Sequence, residues 1–378
     1  MQKPIYKQFA RCYSTSMPLQ SHTTRPTIHV LGLGSIGTFT AHGLKDIPNP
    51  PAVTLLLHRE SLYQEYIRNN RQITLKPVTG DTMHHSDYNL EIYKQGAWHT
   101  PADSPADHQI DNLVVTVKAT QTVSALRALR SRLSRASTVL FLQNGCGMID
   151  EVNEHLFPDP ATRPNYLAGV ISHGVTLASP FNAIHTGASA ISLGLVPRPH
   201  SQSSPNTRET GNQLQNRGGS EYMLHNMPVS PRLSAKSYSF SDVFQIQLEK
   251  LAVNAFCNPV CALHDSKNSI LFEFPKLRRA ILTEISSIVL RLPELRGVDG
   301  VEQRFAVDRL EETVNGILER TRETTCSMVV DLRNRRETEI HFINGYWVRR
   351  GKEVGVSTAI NEELMDKVLR RSAALRSE

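Results

Sequence analysis

The 378-residue chain is short of several things, and each shortage closes off a class of protein. No apolar run approaches the roughly 20 residues that a membrane-spanning helix needs, so nothing in it looks integral to a membrane. Its five cysteines, Cys12, Cys146, Cys257, Cys261 and Cys326, form no CxxC pair. Neither a disulfide framework nor a zinc site is therefore expected, and no metal is assigned. Excess charge is modest too. The formal net charge is +6, and removing Lys3, Lys7 and Arg11 with a leader would leave +3, too little to suggest a nucleic-acid partner. Acidic residues are missing altogether from the first 45 positions, Asp46 being the first. Together with the Ser- and Thr-rich RCYSTSMPLQSHTT, that composition reads as a mitochondrial transit peptide, or else a disordered tail, over residues 1–25. A mitochondrial location is the expectation, with a cytoplasmic one as the alternative.

What remains, 39% hydrophobic and 21% charged, describes a globular chain long enough for two domains. Over residues 26–197 strands and helices alternate. TIHVLGLG, AVTLLLHR, NLVVTVKA and STVLFLQNG are nearly continuous apolar runs, as in a parallel sheet covered on both faces, and TVSALRALRSRL between them has helical spacing. The expected first domain is a Rossmann-type α/β unit with a doubly wound parallel sheet. IHTGASAISLGLV reads as strands that close it. From 198 to 242 Ser, Asn, Gln, Pro and Gly dominate without an apolar period, so a disordered insertion or linker is expected there. From 243 to 378 the spacing is helical, which predicts an all-helical second domain.

Three groups of residues carry chemistry. GLGSIG follows a strand and opens a helix, so Gly32, Leu33, Gly34, Ser35, Ile36 and Gly37 form the turn that brings backbone up to a dinucleotide pyrophosphate at a helix N-terminus. At the end of the next strand, where a carboxylate would select NAD, stand His58 and Arg59. A cation there suits the 2′-phosphate of NADP(H). Lys118 and Asn144 close two further strands, at the edge where open α/β sheets bind ligands.

The third group lies on LEKLAVNAFCNPV. Lys250, Asn254 and Asn258 recur every four residues and share one stripe of a helix. The stripe either faces solvent or lines a cleft, and Pro259 should end or kink the helix there. Downstream, Ser327 and Asp331 are also four apart, with Glu339 eight further on. One helix would then direct a hydroxyl and a carboxylate to the same cleft. A surface salt bridge among Arg335, Arg336 and His341 is the alternative for Glu339. His84, His85 and His173 show no ligand spacing.

GLGSIG, Arg59, VVTVKAT, LQNGCG, KLAVNAFCNP with Asn268 ten residues beyond Asn258, and SMVVDLRNRRETEIHFINGYWVRRG together resemble the ketopantoate reductase (2-dehydropantoate 2-reductase) family. The resemblance runs from about residue 27 to 370, interrupted by 198–242. It implies NADPH-dependent reduction of 2-dehydropantoate to pantoate, on the route to coenzyme A, in a site between the two domains. Lys250 would be the general acid. Asn254, Asn258, Asn268 and Ser327 would contact substrate, and Glu339 would lie near the nicotinamide and the developing hydroxyl. Lys118, Asn144 and Val175 would face the cofactor. The alternatives are a reductase of another small 2-keto acid and a silent NADP-binding paralogue. The implied partner is a small-molecule 2-keto acid, with a homodimer through the helical domain also expected.

Overall fold

The computed structural model describes residues 25–198 and 218–377. The expectation for residues 1–25 falls, apart from Arg25, outside the described residues. Thirteen strands are formed among those described: β1 Thr27–Leu31, β2 Ala52–Leu57, β3 Ile73–Lys76, β4 Met83–His85, β5 Asn89–Lys94, β6 Ala97–His99, β7 Asn112–Val115, β8 Thr138–Phe141, β9 Asn165–Ile171, β10 Gly174–Ser179, β11 Asn182–Gly187, β12 Ile191–Leu195 and β13 Ala235–Tyr238. The α-helices are α1 Ser35–Lys45, α2 Glu60–Arg68, α3 Thr122–Arg127, α4 Met148–His155, α5 Gly218–Asn226, α6 Phe240–His264, α7 Pro275–Val289, α8 Val301–Arg304, α9 Val307–Arg320, α10 Ser327–Arg333, α11 Asn344–Val354 and α12 Ala359–Ser377.

Nine strands make one sheet in the order β13-β12-β9-β8-β7-β1-β2-β5-β6. The six from β9 to β5 run parallel. Their composition demands this burial: every residue of β7 and β8 is buried, so both faces of the sheet are covered by packed elements. The architecture is the expected doubly wound α/β domain followed by helices. A second sheet, β10-β11-β3-β4, lies against α1 and carries Val175. Its strands are short and half polar, which is why the sequence reading did not separate it from the main sheet.

The segment 198–242 departs from expectation. Residues 199–217 lie outside the described residues, but from Gly218 the chain forms α5, a 3₁₀ turn at Met227–Val229, and β13, which pairs parallel to β12. Averaging composition over the whole segment hid three anchors. Met223, Met227 and Leu233 are fully buried in the core of the first domain. Ser230 Oγ donates to Gly43 O at 2.7 Å, and Arg232 pairs with Asp46 at 2.6 Å. A few apolar anchors suffice to order a short polar stretch against a preformed surface.

The helical domain is built around α6, which does not stop at Pro259. Proline lacks the N–H that would bond Ala255 O one turn back. Asn344 Nδ2 donates to that carbonyl instead, at 2.9 Å, and the helix runs on to His264. From Leu251 to Ala262 α6 is buried on nearly every side, Asn254 being the exception, so a solvated stripe is ruled out.

Candidate active site between the two domains

The glycine turn has the shape its spacing predicts. Gly32 sits at φ +99°, and a Cβ there would meet Val117 N at 2.5 Å. At Gly37 a Cβ would lie 1.8 Å from Gly32 O, so no side chain fits between the loop and α1. Gly34 caps α1 with no side-chain hydrogen bond, and the space above its Cα is open. The first N–H groups of α1 have no intrahelical acceptor. Open space over uncapped amides is what a pyrophosphate requires, so these residues fit a dinucleotide. Arg59 stands exposed as the N-cap of α2, next to Ser61 Oγ at 2.9 Å and the His58 ring at 2.7 Å. A phosphate at this strand end would meet both a guanidinium and a hydroxyl. Ser61 was not singled out from sequence, although its place in the first turn of α2 is readable. Val175 lies across α1 on β10 and packs, partly buried, against the core of the first domain.

The two domains meet through charged side chains. Lys118 Nζ, from just beyond β7, is 2.7 Å from Asp331 Oδ2 on α10 and 3.6 Å from Glu339 Oε2. Glu339 Oε1 accepts the Ala119 N–H at 2.9 Å. Burial alone would lower the pKa of Lys118, but the carboxylates of Glu339 and Asp331 outweigh it and hold the pKa above the usual lysine value. Burial raises that of Glu339, against the pull of Lys118 and the Ala119 amide. The carboxyl group of Glu339 is therefore interior, not part of a surface ion pair, and its residue is only 5% exposed. Arg336 approaches Asp331 instead, at 3.7 Å. Nor do Ser327, Asp331 and Glu339 share one helix. Alpha-helical backbone ends at Arg333, and Arg335 at φ +54° turns the chain, so Glu339 arrives on the segment before a 3₁₀ turn at Ile340–Phe342. The Cys146 amide closes the same seam on Phe342 O at 2.9 Å.

Beside this clamp lies a crevice lined by Gln143, Asn144, Gly169, Gln247, Lys250 and Asn254, among others. Lys250 Nζ donates to Asn144 Oδ1 at 2.9 Å and to the Ile171 carbonyl. Both acceptors are uncharged. Loss of hydration therefore dominates, and the pKa of Lys250 is lowered to about 8, with Glu339 the main influence in the other direction. An ammonium has three N–H groups, so one is left for a substrate oxygen. Lys250 and Asn254 thus share one crevice with Asn144, which the sequence had placed on the cofactor side.

Other candidates lie further along the helical domain. Asn258 is buried on α6, and Ser327 is exposed at the start of α10. Asn268 gives its amide to Thr321 Oγ1 at 3.0 Å and accepts from the Cys261 thiol at 3.5 Å, so its side chain is already engaged. Gln247 and the Ile171 carbonyl, like Ser61, were not singled out from sequence. Gln247 stands one turn before Lys250, and helical spacing would have found it. The Ile171 carbonyl is backbone and carries no side-chain signal.

Both parts of the chain resemble known proteins. Residues 28–198 match the sequence model of "Ketopantoate reductase PanE/ApbA" and residues 242–371 that of its C-terminal domain. A "Probable 2-dehydropantoate 2-reductase" of Schizosaccharomyces pombe is 29% identical over 357 residues, 90% of this chain and 94% of that protein. A "Ketoisovalerate reductase" of Beauveria bassiana is 25% identical over 375 residues, 87% of this chain and 79% of that protein. Among solved structures, a D-mandelate dehydrogenase with NADH and anilino(oxo)acetate shares the fold at a TM-score of 0.69 and 18% identity, covering 93% of this chain and 99% of that one. The chain belongs to the ketopantoate reductase family and is an oxidoreductase.

Proposed function

We propose that the chain reduces a small 2-keto acid, 2-dehydropantoate foremost, using NADPH. The observation that supports this reading best is the Lys250 ammonium, held by two neutral acceptors with its pKa brought down to about 8. When bound, NADPH supplies the hydride. As negative charge grows on the C2 oxygen, the remaining N–H of Lys250 stabilises it and the proton passes from Nζ to that oxygen. Asn144 holds Lys250 from one side and, with Asn254, lines the crevice where the oxygen would sit. Lys118 holds Asp331 and Glu339 and so keeps the second domain closed over the glycine turn. Arg59 and Ser61 are the groups that would favour a 2′-phosphate. Ser327 is assigned to the substrate carboxylate through the family resemblance alone.

A second reading has its own support. The similar Beauveria bassiana protein is named for ketoisovalerate, which has no hydroxyl at C4. A site built to pair with that hydroxyl should discriminate strongly against an acid lacking it. NADPH consumption with ketopantoate and with 2-ketoisovalerate decides between them. Turnover of ketopantoate at least about 100-fold more efficient supports the first, and the reverse ratio replaces it. We further propose that the acid-free leader is a mitochondrial address and that the chain is a homodimer. A cytosolic full-length fluorescent fusion and a monomeric sedimentation profile would each overturn the respective point.

A further inference from the structure

Of the described cysteines, Cys146, Cys257 and Cys261 are buried, and Cys326 alone is partly exposed. Cys326 immediately precedes α10, and Cys261 lies on α6 facing it. Cys326 packs against the α6 core that holds Cys261, and each thiol influences the other's protonation. The Cys261 S–H also has Asn268 Oδ1 within 3.5 Å and Lys267 O within 3.8 Å, and the Cys326 thiol reaches the Asn258 carbonyl at 3.9 Å. The pair thus lies among Asn258, Asn268 and Ser327, three of the residues assigned to substrate, and has no part in the reduction itself.

We propose that Cys326 and Cys261 form a modification site, oxidised by a peroxide to a disulfide that ties α10 to α6 and slows turnover. Cys326 has the features of an attacking thiol. The S–H of Cys261 and the N–H groups of Val329 and Met328 draw its pKa below the usual thiol value, against the effect of burial. Cys261 has those of a resolving thiol, its pKa raised by the neighbouring Cys326 thiol and by burial, which keep it protonated. The Cys326 thiolate attacks the peroxide O–O bond, giving a sulfenic acid and releasing water after proton uptake. The Cys261 sulfur then displaces the sulfenic hydroxyl as a second water. Two thiols and one hydrogen peroxide yield one disulfide and two waters. The two sulfurs must then close to about 2 Å. The start of α10 has to absorb that movement, and it carries Ser327 and leads to Asp331, the Lys118 partner.

The effect on turnover rests on the functional reading above; formation of the disulfide does not. The test treats the purified chain with hydrogen peroxide, maps its peptides by mass spectrometry, and follows NADPH consumption with ketopantoate before and after dithiothreitol. The expected result is a Cys261–Cys326 cross-linked peptide lighter by two hydrogens, a turnover loss of at least about tenfold, and recovery on reduction. In Cys261→Ser, Cys326 should instead advance to the sulfinic acid and the loss should become irreversible. A wild-type map with Cys326 unmodified, or over-oxidised with Cys261 still a thiol, overturns the site. A fully formed disulfide with unchanged turnover overturns its control of the reaction. If untreated protein consumes no NADPH with any keto acid, the functional reading fails, and the peptide map still decides whether the site exists.

Discussion

Lys118 and Lys250 reach the same interdomain seam from opposite sides, and their surroundings drive them in opposite directions. Lys118 faces two carboxylates at 2.7 and 3.6 Å, which raise its pKa despite burial. Lys250 faces an amide oxygen and a backbone carbonyl, so burial prevails and its pKa falls to about 8. Paired with anions, a lysine becomes a structural cation that holds its proton. Given only neutral acceptors, it becomes an acid able to release one near neutral pH. The difference lies in the partners, since the side chain is the same.

The comparison can be broken most severely at Lys250. Lys250→Ala should lower kcat by about 10³-fold with NADPH binding nearly unchanged, as expected for loss of a general acid. Full activity in that variant would remove the assigned chemistry. The pH profile comes next. Lys250 is competent while protonated, so kcat should fall roughly tenfold per unit above about pH 8. Because Glu339 raises the Lys250 pKa, Glu339→Gln should move that limb to lower pH, and a limb that stays put or rises would contradict the coupling.

Lys118→Met should act mainly on domain closure. It leaves Glu339 buried without its cation and Asp331 with only the more distant Arg336, and thermal melting should show lower stability, with kcat reduced by about tenfold. A drop as large as that of Lys250→Ala would erase the distinction between the two lysines. Arg59→Ala lies outside the seam and should raise KM for NADPH by about tenfold while sparing NADH, measured by steady-state kinetics with each dinucleotide. The smallest effect is expected at Asn344→Ala, which removes the donor to Ala255 O. Denaturant melts should register a loss of about 1–3 kcal/mol.

Much of this site was legible in the chain. GLGSIG carries its own explanation, because glycine spacing and the strand before it dictate the turn. The four-residue recurrence of Lys250, Asn254 and Asn258 placed them on one helix face. What could not be read were features made by distant backbone or by a change of chain direction. Pro259 signalled a break that Asn344, 85 positions away, makes unnecessary. Glu339 looked continuous with Ser327 and Asp331 until the left-handed turn at Arg335 separated them. The polar texture of 198–242 concealed Met223, Met227 and Leu233, whose value as anchors depends on the surface already waiting for them.

Local chemistry therefore determined the sheet-forming runs, the glycine turn, the cation at Arg59 and the presence of a lysine–asparagine stripe. Those follow from short-range geometry, which a linear pattern records. Whether that stripe met water or a cleft, and which lysine would hold its proton, was decided only when the two domains closed. Both depend on desolvation and on charges drawn from strands and helices up to 221 positions apart, as Lys118 and Glu339 are, and such proximity exists only in three dimensions.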